Sequence, residues 1–265
     1  MALVLVLTGC NNRPNANTQT DIVVTNSYLA AAVADVSDNA IGVFSLAPPG
    51  MCPGHFDISP GQMERICNSR LLLLFDFQQQ VERSLARVRD HGVKTAMVKS
   101  PGGLCLPDTY LFICRQVCGI LVAEYPNRAH EFEARLNLIE KELDVLGQEI
   151  RKTAQEAKLV GTSVLTSYHQ ASFAEWLGLE VVAQFVGSDT ETVSNIDECL
   201  KKAEGHDIRF VIANKQEGTA LAQSLAARLD AHDVVFSNFP AFTEPSGGFR
   251  NLVRSNVAAL IEASN

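Results

Sequence analysis

Residues 127–159 read NRAHEFEARLNLIEKELDVLGQEIRKTAQEAKL. Phe132, Leu136, Ile139, Leu143, Leu146 and Ile150 recur at steps of three and four, so they line one face of an α-helix. No proline interrupts the run, and Gly147 is its one glycine. At about 1.5 Å per residue such a helix spans roughly 45 Å, more than the width of a small lobe. The spacing fits a long surface or coiled-coil helix and also a rigid helix joining two lobes. The second reading is preferred, because strand and helix patterns alternate on both sides of it.

Before this helix, β-rich runs at residues 21–25, 41–46, 71–75 and 94–98 alternate with helical periods at 27–36, 60–67, 77–91 and 108–124. Ser27 is read as the cap of the first helix. Leu71-Leu72-Leu73-Leu74-Phe75 is a continuous apolar run, as in a strand buried on both faces. After it, strands are expected at 163–166, 181–185, 208–213 and 234–237, and helices at 169–177, 193–203, 217–229 and 249–263. The fold class is therefore α/β: two lobes, each a small parallel sheet flanked by helices, joined by one long rigid helix. The expected divisions are a leader and tether at 1–20, a first lobe at 21–126, the connecting helix at 127–159 and a second lobe at 160–265. Ligands of parallel sheets bind at the carboxyl ends of the strands. His55, Gly103 and Cys105 all follow predicted strands and belong at that edge.

Composition narrows the function. The chain has 265 residues, 46% hydrophobic and 20% charged, with net charge -8. That is the balance of a folded domain, and an acidic chain without a basic cluster suits a cation better than nucleic acid or an anionic membrane surface. The start, Ala2 to Leu7 followed by Thr8-Gly9-Cys10, is an apolar run ending in a lipobox-like sequence, with Cys10 as the lipidated residue. The run is too short to span a bilayer and has no Lys or Arg before it, so a start upstream of Met1 is expected. Residues 11–20 are polar and read as a flexible tether. Seven cysteines suit an exported protein.

Of six histidines, His91, His130, His206 and His232 read as solvated. His55 and His169 sit in loops at strand ends, one in each lobe, where a cleft could be closed from both sides. Pro48, Pro49 and Pro53 stiffen the loop that carries His55, which holds its imidazole at low entropic cost.

Several segments together resemble a known family. Val24-Thr25-Asn26-Ser27-Tyr28-Leu29, Ser45-Leu46-Ala47-Pro48-Pro49-Gly50 and Pro53-Gly54-His55-Phe56-Asp57-Ile58-Ser59-Pro60 are followed by Thr166-Ser167-Tyr168-His169, with Phe173 and Leu177-Gly178-Leu179 beyond. They resemble the zinc- and manganese-type (cluster A-I) metal solute-binding proteins of bacterial ABC importers. The resemblance covers the chain after the tether and includes the long central helix. It implies a non-enzymatic receptor that holds Zn²⁺ or Mn²⁺ as transported cargo between the lobes, with His55 and His169 as ligands. It also implies an ABC permease as partner, and a monomer in the periplasm or at the cell surface, held to a membrane by a lipid anchor only. Asp57 is open to two roles, partner to a ligand ring or cap of the helix at Pro60.

Two of the family's four ligand positions depart from its pattern. Gly103 stands where a second histidine is expected, with Cys105 the only soft donor nearby. Asn238 stands where a carboxylate is expected. Cys105 is either a ligand, which would favour zinc, or the partner of Cys52 in a disulfide that rigidifies the site, the latter slightly preferred. Cys114 and Cys118, four apart on one helix face, read as core, as does Cys67, and Cys199 stands alone in the second lobe. The alternative to a bare-metal receptor is the same fold binding a metal chelate or another small solute. An enzyme is disfavoured, because no Cys-x-x-Cys and no helical Glu beside either histidine is present.

Overall fold

The computed structural model describes residues 21–47, 58–78, 92–187, 193–241 and 248–264. Two four-stranded, wholly parallel sheets are built to one plan. The first contains β1 (Ile22–Val24), β2 (Val43–Ser45), β3 (Leu71–Phe75) and β4 (Lys94–Val98), in the order β2-β1-β3-β4. The second contains β5 (Ser163–Ser167), β6 (Glu180–Phe185), β7 (Phe210–Asn214) and β8 (His232–Phe236), in the order β6-β5-β7-β8. In each sheet the chain winds outward from the first strand, then returns to build on its other side. The switch point, where a crevice opens beyond the strand ends, thus falls between β1 and β3 in one sheet and between β5 and β7 in the other.

Helices cover these sheets: α1 (Ser27–Ser37), α2 (Pro60–Cys67), α3 (Pro107–Glu124), α4 (Ala129–Glu156), α5 (Ala171–Trp176), α6 (Val193–Ala203), α7 (Ala220–Leu229) and α8 (Gly248–Glu262). The long helix α4 runs 28 residues, joined to α3 by a 3₁₀ turn at Pro126–Arg128. Its expected stripe is the buried face: Phe132, Ile139, Leu143, Leu146 and Ile150 are buried and Leu136 partly so. It ends before Leu159, because Lys158 turns into the left-handed region at φ 56° and Leu159 N donates back to the Ala154 carbonyl.

One hydrophobic cluster runs through both lobes and the long helix, and each sheet has a smaller cluster on its outer face. The alternation of β3 shows why its sequence carries no polar residue. Leu71, Leu73 and Phe75 face the shared cluster, while Leu72 faces the outer one. β7 does the same, with Phe210 and Ile212 inward and Val211 and Ala213 outward. Cys114 and Cys118 lie in the shared core, as their spacing suggested, and Cys199 packs under the second sheet.

Two caps differ from expectation by small shifts of register. Asn26, not Ser27, caps α1: its side chain accepts from Leu29 N at 3.0 Å. Its amide nitrogen also donates to Thr25 Oγ1 at 3.2 Å, tying the cap to the end of β1. Ser59 caps α2 in a reciprocal capping box with Gln62, so that role does not fall to Asp57. Asn26→Ala is expected to cost about 1 kcal/mol, read as a lower urea midpoint with unchanged slope.

Candidate metal centre

Cys10, Cys52, His55 and Asp57 lie outside the described residues, as do His91 and most of the helix expected at 77–91. The geometry of the centre is therefore that of Gly103, Cys105 and the second lobe.

His169 sits in a 3₁₀ turn, Tyr168–Gln170, that continues directly from β5. Glu217 ends a matching turn, Lys215–Glu217, that continues from β7. Since β5 and β7 are hydrogen-bonded neighbours, the two turns meet across the switch point. His169 Nδ1 pairs there with Glu217 Oε1. Ser167 Oγ donates to Glu217 Oε2 at 2.5 Å, so both carboxylate oxygens are engaged. Gly187, after β6, makes room for this carboxylate: a Cβ there would stand 2.5 Å from Glu217 Cβ.

The charges follow from these contacts. Burial alone would push the Glu217 carboxyl up. Hydrogen bonds from His169, Ser167 and Asn214 outweigh it and hold the group below its ordinary range. The Glu217 hydrogen bond raises the His169 imidazole above its usual value, against an opposing contribution from partial burial. A carboxylate on Nδ1 fixes the tautomer and ring plane and directs Nε2 away from it. The His169 side chain is 54% exposed, so that nitrogen is reachable. The Tyr168 ring stands edge-on to the imidazole at 5.5 Å between centroids and is itself well exposed.

Cys105 and Asn238 do come together, but not as an open donor pair. Cys105 Sγ lies 3.1 Å from the Ser237 carbonyl oxygen and 3.4 Å from Asn238 Oδ1. Asn256 Nδ2 donates to the same sulfur at 3.4 Å. Asn238 Oδ1 accepts from Gln170 Nε2 at 3.0 Å, and that amide also reaches Asn214 Oδ1 at 3.3 Å. Cys105, Gln170, Asn214, Asn238 and Asn256 are all buried. Cys105 carries a free thiol, and burial pushes that thiol up; Cys52, its expected disulfide partner, lies outside the described residues. The result is an uncharged polar bridge between the lobes, with its groups satisfied by one another. Among the described residues, no group of three or more His, Cys, Asp or Glu is arranged to hold a metal ion.

Gly103 has φ +61°, and a Cβ there would meet Leu106 Cδ1 at 2.8 Å. The backbone at this position suits glycine and resists a side chain.

The sequence model of the family described as zinc-uptake complex component A, periplasmic, matches residues 105–263. A crystal structure of ZnuA superposes with TM-score 0.75 at 16% identity, over 93% of this chain and 99% of that one. A cadmium-bound periplasmic metal binding protein from Candidatus Liberibacter asiaticus gives TM-score 0.74 at 13% identity, over 92% and 99%. The manganese-bound form of a periplasmic metal binding protein from that organism gives 0.71 at 12%, over 92% and 99%. At these identities the likeness carries the fold alone. No curated protein sequence matches the chain.

Proposed function

The chain belongs to the family of periplasmic zinc-uptake component A proteins, solute receptors rather than enzymes, and on that premise we propose that it captures a divalent transition metal, zinc or manganese, between its lobes and presents it to an ABC permease. The observation that carries this reading is the Glu217–His169 pair at the switch point of the second sheet. A carboxylate that fixes one ring nitrogen while the other stays reachable is the usual outer support of a metal-binding histidine. His55, which follows Pro48, Pro49 and Pro53 in the sequence, is the second imidazole of the proposal. Imidazole suits zinc, whereas oxygen donors beside it would favour manganese. Anchoring through a lipid on Cys10 and action as a monomer belong to the same proposal. The long helix α4, packed along its length, predicts small lobe movement on binding rather than wide closure.

The test is a metal titration of chelator-treated protein. A ligand that binds only the folded state stabilises it by about 2.7 kcal/mol at a concentration 100 times its Kd. Zinc or manganese is therefore expected to raise Tm by several degrees, and the rise should vanish in His169→Ala. No rise with either metal would overturn the reading.

A further inference from the structure

We infer that Gln170 is a positioning residue, which aims the His169 imidazole at the metal by acting through Asn214 and Glu217. This rests on the metal-receptor reading above and adds to it the means by which the donor is held. Gln170 closes the 3₁₀ turn Tyr168–Gln170, one residue after His169. Its two neighbours on the turn reach solvent, whereas Gln170 is completely buried. Its Nε2 donates to Asn214 Oδ1 at 3.3 Å and to Asn238 Oδ1 at 3.0 Å. Asn214 is the last residue of β7, and Asn238 lies just past β8. The Gln170 Oε1 faces the Cys105 sulfur, from the first half of the chain, at 3.9 Å. One buried amide thus pins the turn that carries His169 to two strand ends of its own lobe and to the opposite lobe.

The direction of each hydrogen bond follows from Glu217, because a carboxylate only accepts. Asn214, which bonds to it, must offer its Nδ2 and turn its Oδ1 the other way, towards Gln170. That buried oxygen needs a donor, and the amide nitrogen of Gln170 supplies one. The chain then closes on itself. Gln170 fixes Asn214, Asn214 and Ser167 fix the Glu217 carboxylate, and Glu217 fixes Nδ1 of His169. An apolar side chain at position 170 would leave the Asn214 oxygen unpaired, a cost relieved when Asn214 turns away from Glu217. The carboxylate then loses a donor, and the imidazole loses its fixed plane.

The experiment is a double-mutant cycle on metal-stripped, full-length protein, with Gln170→Met and Asn214→Ala made singly and together. Methionine keeps the length of the side chain and removes the donor. Zinc affinity is read by competition with a chelating dye. Each single variant should bind zinc about tenfold more weakly. The double variant should bind no more weakly than either, because both changes cut the same chain. The second readout is the nitrogen NMR spectrum of the histidine rings in metal-free protein at alkaline pH, with His169 identified by His169→Ala. In the parent its Nδ1 should carry the proton, and in both single variants the two tautomers should mix. Losses that multiply to about a hundredfold in the double variant would overturn the inference. So would parental zinc affinity and ring signals in Gln170→Met. If Gln170→Met does not fold, parental ring signals in Asn214→Ala overturn it equally. Zinc bound by no protein, the parent included, would overturn the receptor reading, and the ring spectrum would still decide the role of Gln170.

Discussion

Phe249→Ala is expected to lower stability by about 3–5 kcal/mol, the usual cost of emptying a fully buried aromatic site. Phe249 lies in the first turn of α8, in the second half of the chain, and is completely buried. Its ring stacks on Tyr110 of α3 at 4.2 Å with planes 5° apart, and meets Tyr28 of α1 nearly edge-on at 6.1 Å. Those partners belong to the first half, so one side chain joins the two lobes. The partners cannot easily collapse into the vacated volume. Tyr110 is held by donating its hydroxyl to Asp35 Oδ2 at 2.7 Å, and Tyr28 by donating to the Leu104 carbonyl at 2.9 Å. A loss of this size is about a fifth or more of the total stability of an ordinary domain. Urea denaturation should show it as a lower midpoint. Val253→Ala, one turn further into α8 and equally buried, removes a smaller side chain that makes no stacking contact, and should cost less. A Phe249→Ala loss under about 1 kcal/mol would mean that the lobes are not held together through this aromatic contact.

What the sequence revealed and what it hid divides along one physical line. Periodicity is local, so the long helix, the buried strands β3 and β7 and the α/β alternation could be read from residue types alone. The core roles of Cys114 and Cys118 followed from their spacing in the same way. Glu217 could not be found like this. It was placed at the first turn of a helix, where an acidic residue is unremarkable. Its meaning appears only once β5 and β7 are known to be neighbours, which is a statement about sheet order. Gln170 and Asn256 were missed for a related reason: an amide has no signature until its partners are known, and theirs come from residues 19 to 151 positions away in the chain. Cys105 was named from the sequence, but not its burial, because a thiol's surroundings depend on packing that no local pattern reports. Cys105 and Asn238, each named from the sequence as a candidate donor, lie side by side.

Glu217→Ala is expected to weaken metal binding by about 10–100-fold at neutral pH, the range that loss of a partner to a ligating imidazole ordinarily gives. The imidazole itself remains, so the effect should fall short of that of His169→Ala, which removes the donor. Glu217→Gln separates positioning from charge, since its amide oxygen can still accept from Nδ1–H but no longer favours the protonated ring. The pH dependence decides between the two. In the parent, Glu217 holds the His169 imidazole protonated to higher pH than usual, and a metal must displace that proton from Nε2. Affinity should therefore fall as pH drops through the raised His169 value, while Glu217, held below its ordinary range, stays ionised throughout. In Glu217→Gln the ring returns towards its ordinary value, so the fall in affinity should begin at lower pH even though affinity at the plateau is weaker. Metal competition titrations across this range read both quantities at once. If Glu217→Gln and Glu217→Ala kept the parent's affinity and pH profile, the carboxylate would be a structural tie between β5 and β7, and His169 would have to be oriented by something else.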